Sequence, residues 1–264
     1  MKLKDQIQRE IDLKTCPTRI VSLVPSQTEL LVDLGLETSL VGITKFCVHP
    51  KQLRKTNKIV GGTKQVKLNK VKALKPDIIL CNKEENTPEM VSQLELIATV
   101  HVSEILNIQD TLDLIDQYGK MFQVEEKANT IQFKITKELK SFQHFIADRP
   151  KFKVAYFIWK KPWMVVASNT FINSILELNN FENVFGDLKR YPIIELKKLE
   201  EKQPEVVMLS SEPFPFNTEH RDEICAEFPA AKVIIVNGEY FSWYGSRLIK
   251  SFNYFRSLSQ DFVD

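Results

Sequence analysis

A cysteine and a histidine stand two residues apart at Cys47-Val48-His49, the one close pairing of these residue types in the chain. Both are competent metal ligands, and the alternation of an extended segment would put them on one face. Two ligands do not complete a site. The other histidines, His101, His144 and His220, fall on an expected strand, an expected long helix and a far loop. The competing reading is a small buried thiol beside a surface imidazole. Gly61-Gly62-Thr63-Lys64 could hold an anion on backbone N–H groups or simply turn the chain. Glu84 and Glu85 are adjacent, so their carboxylates diverge, and a surface loop is expected there. The chain has no GxSxG, GxxxxGKS/T, HExxH or GxGxxG motif. The residues suit binding, and no enzyme activity is expected.

Aromatic residues make the stronger case. Ligands of open α/β sheets sit at the carboxyl ends of strands. Here those ends are expected at residues 25–29, 45–50, 82–87, 159–163 and 237–243, which include Pro25, Ser26, Phe46, Asn82, Trp159, Trp163, Tyr240, Phe241 and Trp243, with Tyr244 next to them. All three tryptophans lie in two of these loops. A ring in a loop can face a flat or bulky ligand, or it can cap a sheet. Pro213-Phe214-Pro215-Phe216 adds a stiff aromatic wall after a later strand.

The elements that position these loops are legible as an alternation. Strands are expected at 19–24, 40–43, 77–81, 98–102, 153–158, 163–167, 206–209 and 232–236. Helices are expected at 26–34, 66–74, 88–97, 108–118, 170–178, 194–201, 219–227 and 246–258. Ser26 with Glu29 three residues on has the form of a capping box, and Gly35 ends that helix. One phrase occurs twice: Leu74-Lys75-Pro76-Asp77-Ile78-Ile79-Leu80 and Glu201-Lys202-Gln203-Pro204-Glu205-Val206-Val207-Met208. Each is a charged helix end, a proline, an acid and a buried strand. Residues 121–149 contain no Gly or Pro, and Val124, Ala128, Ile131, Ile135, Leu139, Phe142 and Ile146 form one apolar stripe. The expected fold is α/β: two lobes of mainly parallel sheet flanked by helices, at 1–122 and 151–264, bridged by one long helix at 123–150. A stiff helix in place of a linker argues for little hinge closure.

Composition narrows the function. The formal net charge of +2 argues against a dedicated nucleic-acid surface, and the cluster Lys51, Arg54, Lys55 and Lys58 reads as a solvated face. No apolar run reaches the ~18 residues of a membrane span. The first residues lack the apolar core of a secretory signal, so a cytoplasmic location is expected for the chain as written. Cys16, Cys47, Cys81 and Cys225 are too dispersed for a disulfide scaffold.

Arg19-Ile20-Val21-Ser22-Leu23-Val24-Pro25-Ser26-Gln27-Thr28-Glu29, then Val41-Gly42-Ile43-Thr44 and Leu74-Lys75-Pro76-Asp77, resemble the helical-backbone substrate-binding proteins that serve ABC importers of cobalamin, haem and ferric siderophores. Glu182-Asn183-Val184-Phe185-Gly186-Asp187 and the stretch from Glu239 to Arg247 extend the resemblance, which spans about residues 18–260 and is nearest to the cobalamin-binding group. It implies a ligand held between two lobes by a non-catalytic monomer in the periplasm or cell envelope. By position it implies ligand-facing residues at Phe46, Thr63, Asn82 and Tyr191, with Glu239 and Trp243 replacing an Asp and an Arg. It also implies permease docking through an acid on each lobe. Those positions are Asn69 and Lys197 here, with Glu195 or Glu200 nearby as substitutes. The disulfide of the cobalamin-binding group is lost, since Asn179 and Arg256 fall at its positions. The expected function is to hold a cobalamin-like corrinoid or related metal chelate for an ABC importer. The alternatives are a cytoplasmic metal-handling protein or enzyme using Cys47 and His49, and a ferric-siderophore or haem binder drawing on Lys45, Lys64, Lys83, Lys160, Lys161 and Arg190.

Overall fold

The computed structural model describes residues 1–262 and divides into two compact units. Unit 1 comprises Met1–Ile105, Gln109–Thr136 and Tyr244–Arg247. Its strands are β1 (Lys2–Lys4), β2 (Glu10–Asp12), β3 (Ile20–Ser22), β4 (Leu40–Thr44), β5 (Lys58–Gly61), β6 (Ile78–Asn82) and β7 (Thr99–Ser103). The last five form one parallel sheet in the order β5-β4-β3-β6-β7. Every residue of β3 and β6 is buried, as expected of central parallel strands covered on both faces. The lead-in is an antiparallel hairpin, β1 with β2. Buried Asp5 ties it down, accepting from Arg9 N at 2.9 Å and Val102 N at 3.1 Å.

Helices α1 (Pro25–Asp33), α2 (Leu53–Thr56), α3 (Leu68–Ala73), α4 (Pro88–Glu95) and α5 (Ile108–Phe122) connect these strands and follow them. The capping box expected at Ser26 is not used. Helix α1 starts one residue earlier, with extended Val24 as its N-cap and Pro25 in the first turn. Proline suits that position because its missing N–H would have had no helical partner. Glu29 is thereby released for a different contact, described below. Gly35 ends the helix at φ +81, and a Cβ there would run into the Lys127 ammonium. The structure adds α2 and β5, which the short Lys58-Ile59-Val60 run did not announce.

Helix α6 (Glu125–Ile146) is the expected long helix, contributing residues up to Thr136 to unit 1 and from Lys137 to unit 2. Ala128, Ile131, Ile135, Phe142 and Ile146 of its stripe are buried. Gly119 lets α5 and α6 approach, since an added Cβ would lie 2.7 Å from the Ala128 methyl.

Unit 2 comprises Leu106–Ile108, Lys137–Trp243 and the chain from Leu248 on. Its elements are β8 (Phe152–Trp159), β9 (Met164–Val165), α7 (Phe171–Leu178), β10 (Phe181–Asn183), α8 (Lys198–Lys202), β11 (Val206–Ser210), α9 (Thr218–Glu227), β12 (Lys232–Val236), α10 (Gly238–Ser242) and α11 (Leu248–Gln260). The parallel order is β10-β8-β11-β12, with β9 antiparallel on β8. The helix expected from Ile194 begins only at Lys198, because residues 189–194 are held by isolated bridges and backbone hydrogen bonds to residues 163–168. Val165 N donates to Pro192 O at 3.2 Å, and Ile194 N to Trp163 O at 3.0 Å. That backbone pairing outweighs the helical period of the segment.

The repeated phrase performs one job in both units. Lys75 (φ 45) and Gln203 (φ 46) end their helices in the left-handed region, each just before a proline. The acid that follows then receives a neighbouring strand. Asp77 accepts from Thr18 N at 2.8 Å and Arg19 N at 2.9 Å, ahead of β3; Glu205 accepts from Lys153 N at 2.7 Å, on β8.

Candidate functional site

In unit 1 the chain runs from β3 outward to β4 and β5, then returns to the other side of β3 with β6 and β7. The strand order reverses at β3 and β6, where crevices of doubly wound sheets lie. A buried hydrogen-bond network occupies these strand ends. Gln27 Nε2 donates to Ser103 Oγ at 2.6 Å and Tyr244 OH at 2.9 Å, while its Oε1 accepts from Tyr118 OH at 2.6 Å. Ser103 Oγ also accepts from Asn82 Nδ2 at 3.0 Å and donates to Cys81 O at 3.2 Å. Every polar atom of the Gln27 amide is satisfied, which is what makes its full burial tolerable. Asn82 Oδ1 accepts from Glu84 N at 2.8 Å, and Asn86 Nδ2 donates to Thr63 O at 2.8 Å, so the loops after β5 and β6 are tied together. Burial pushes the Tyr118 and Tyr244 phenols up, leaving both neutral and able to donate.

Glu29 is part of the same framework. Its carboxylate accepts from Arg247 Nε at 2.8 Å and Nη2 at 3.0 Å, with both side chains almost wholly buried. The fork geometry makes this a bidentate pair. Gly245 (φ +94) lets the segment Tyr244–Arg247 bend close to Leu30 and Ser26.

Unit 2 is built from rings instead. Its strand order reverses at β8 and β11, and the loops after these strands meet. The Trp159 and Phe214 rings lie edge to face at 5.6 Å, Trp163 is nearly parallel to Phe216 at 6.2 Å, and His220 packs against Phe214 at 5.2 Å. His220, expected on a far loop, sits in the first turn of α9, where its Nδ1 accepts from Asn217 N at 3.2 Å. Glu212 anchors the next loop, accepting from Ser242 Oγ at 2.7 Å and Trp243 Nε1 at 2.9 Å. Gly238 has no room for a side chain, since a Cβ would collide with Ser210 Oγ and lie 2.7 Å from Glu212 Cγ. Gln27, Tyr118, Ser103 and Glu212 gave no sequence signal, because an isolated polar residue is unremarkable until its partners are known.

The expected site residues separate by exposure. Phe46 (48 % exposed) and Trp159 (38 %) present rings to solvent. Pro25, Thr63, Trp163, Tyr191 and Glu239 are half-buried. Ser26, Asn82, Phe241 and Trp243 are buried. Phe241 is a core ring of unit 2, packed on Tyr156 at 5.2 Å and Phe255 at 5.1 Å, and the expected loop around it is helix α10. The Cys47 thiol is buried, with Thr28 Oγ1 at 3.1 Å and Thr44 Oγ1 at 3.3 Å. Burial pushes its pKa up, though the two hydroxyls partly oppose this. A neutral, engaged thiol is the reverse of what thiolate ligation requires. Among the described residues no three His, Cys, Asp or Glu side chains are grouped for a metal. Asn69 is exposed on α3, and exposed Lys197 pairs with Glu195 at 2.5 Å. No described helix is long and apolar enough to cross a membrane.

Two mainly parallel sheets with helices on their faces and ordered strand-end loops define an α/β protein of two units. The chain belongs to the periplasmic binding protein family, whose model matches residues 20–232. It is 27 % identical over 196 residues to an uncharacterized ABC transporter substrate-binding lipoprotein of Bacillus subtilis, a match spanning 70 % of this chain and 61 % of that one. It is 24 % identical over 197 residues to the vitamin B12-binding protein of Vibrio cholerae, covering 73 % of this chain and 70 % of that protein. The crystal structure of the periplasmic vitamin B12-binding protein of Vibrio cholerae superposes with a TM-score of 0.81 at 21 % identity, covering 93 % of this chain and 98 % of that one.

Proposed function

We propose that this protein is the substrate-binding component of an ABC importer of the cobalamin, haem and siderophore type, that it holds its ligand without transforming it, and that the ligand is a cobalamin-like corrinoid. The observation that carries the reading is family membership over residues 20–232. The ring-lined strand ends of unit 2 support the ligand class, because a corrin presents a broad, flat, largely apolar face that aromatic side chains can cover. The proposed contacts are Phe46, Thr63 and Pro25 in unit 1 and Trp159, Trp163 and Tyr191 in unit 2. Membership of this family, together with relatives named as periplasmic or as lipoproteins, supports a place in the cell envelope.

Titration of cyanocobalamin, followed by calorimetry and by quenching of the three tryptophans, tests the reading. A dissociation constant in the micromolar range or below is expected. Trp159→Ala should weaken it about tenfold, the loss of roughly one ring contact, while leaving the unfolding midpoint unchanged. Haemin in a parallel titration distinguishes the tetrapyrrole classes. Saturable binding of haemin alone would reassign the ligand, and no binding of either would overturn the proposal.

A further inference from the structure

The charge of this chain is unevenly placed. Ten of its 36 cations and none of its 34 acids lie in residues 38–76, so the remainder carries 26 cations against 34 acids. The ten are Lys45, Lys51, Arg54, Lys55, Lys58, Lys64, Lys67, Lys70, Lys72 and Lys75, and all are exposed. Among the described residues, none of the ten is seen in an ion pair. Read from sequence, only the loose cluster from Lys51 to Lys58 was visible. The fold brings α3 to it: β5 is the edge strand, α2 leads straight into it, Lys67 N donates to Val60 O at 2.8 Å, and Lys70 Nζ reaches Ile59 O at 3.4 Å. The result is one basic margin of unit 1 made from α2, β5 and α3.

We propose that this margin is an adsorption surface for an anionic lipid bilayer. The composition selects that partner. Nine of the ten cations are lysine, a flexible point charge, where docking onto a shaped anionic site favours the planar fork of arginine. Protein interface cores are depleted of lysine and centred on apolar anchors, whereas the exposed positions of α2 and α3 carry mainly lysines and neutral polar residues. Exposed lysines spread along one sheet edge match a diffuse plane of lipid phosphates, each cation near such a surface adding a severalfold gain in binding. The proposal concerns the basic side chains of residues 45–75, and its test variants leave Phe46 and Thr63, the proposed ligand contacts, unchanged.

Co-sedimentation with large unilamellar vesicles tests it. Vesicles of phosphatidylcholine with about one-third phosphatidylglycerol should retain the protein at low salt and release it as salt rises, because screening weakens the attraction. Neutral phosphatidylcholine vesicles should retain almost none. The triple variant Lys67→Glu/Lys70→Glu/Lys72→Glu should bind anionic vesicles at least tenfold less. The control Lys134→Glu/Lys137→Glu/Lys140→Glu, at exposed positions of α6, should bind like the parent within about twofold. Circular dichroism checks that both variants are folded, and if the first triple is not, Arg54→Glu/Lys55→Glu takes its place. Equal loss in both triples, equal retention on neutral vesicles, or capture of a DNA duplex or polyglutamate without capture of anionic vesicles would overturn the proposal.

Discussion

Unit 1 and unit 2 share a topological plan and the same proline-acid-strand phrase, yet they finish their strand ends with opposite chemistry. Unit 1 uses hydroxyls, amides and a buried ion pair: Gln27 with Tyr118, Ser103 and Tyr244, and Glu29 with Arg247. Unit 2 uses rings, with Trp159, Trp163, Phe214, Phe216 and His220 in mutual contact. A buried polar network has directional bonds and fails sharply when one member is removed. Packed rings are non-directional and offer faces to a ligand. Unit 1 is thus built to hold loop geometry, and unit 2 to present apolar surface.

The sharpest way to break this contrast is at the buried pair of Glu29 and Arg247. Glu29→Ala removes the carboxylate paired with the buried Arg247 guanidinium and should cost about 3–5 kcal/mol. Lys202→Ala removes a pair to Asp187 on the surface of unit 2, with Asp187 62 % exposed, and should leave stability close to the parent's. Urea midpoints of the two variants read the difference, and similar losses would erase the distinction. A smaller effect is expected at the glycines. Gly238→Ala in unit 2 drives a methyl into Ser210 and Glu212 and should cost about 1–3 kcal/mol. In unit 1 the nearest atom to a Cβ on Gly62 is Cε2 of the exposed Phe46 ring, at 3.2 Å, which can swing aside. Thermal midpoints should therefore fall for Gly238→Ala and stay near the parent value for Gly62→Ala.

The smallest effect is a pH dependence confined to unit 1. Burial lowers the pKa of His101, against the opposing effect of its hydrogen bond to Gln117. The folded protein resists protonating it, while the unfolded chain takes a proton at the ordinary histidine value of about 6.5. Its neutral form therefore costs nothing above that pH, and stability declines as the pH falls below it. Urea midpoints at pH 7.5 and 5.5 should show the decline in the parent and a shallower one in His101→Gln. An unchanged slope would remove His101 from the account.

Much of the fold could be read from local pattern. The strands Ile78–Asn82 and Val206–Ser210 follow from unbroken apolar runs after a proline and an acid, and α6 from a stripe at steps of three and four. Elements that depend on a partner were hidden. Strand β5 and the bridged segment 189–194 have weak patterns of their own and are held by the backbone hydrogen bonds of neighbouring chain. The direction each ring faces was not legible. Phe46 and Trp159 are exposed, while Phe241 and Trp243 carry the same sequence signal and are buried. A ring in a strand-end segment gives no indication of which way it faces until the helix that carries it is placed.

The amino-acid sequence by itself determined the α/β class, the two matching proline-acid-strand units and the family, because these rest on short-range periodicity and on contiguous motifs. Tertiary structure alone decided the uses of single residues. Glu29 became an ion-pair partner of Arg247 instead of a helix cap, Cys47 a hydrogen-bonded core thiol, and Lys67 and Lys70 the neighbours of edge strand β5. Each of those outcomes depends on a residue far away in the chain, and the cost of burying a charge or the benefit of gathering charges exists only once folding has set the distance.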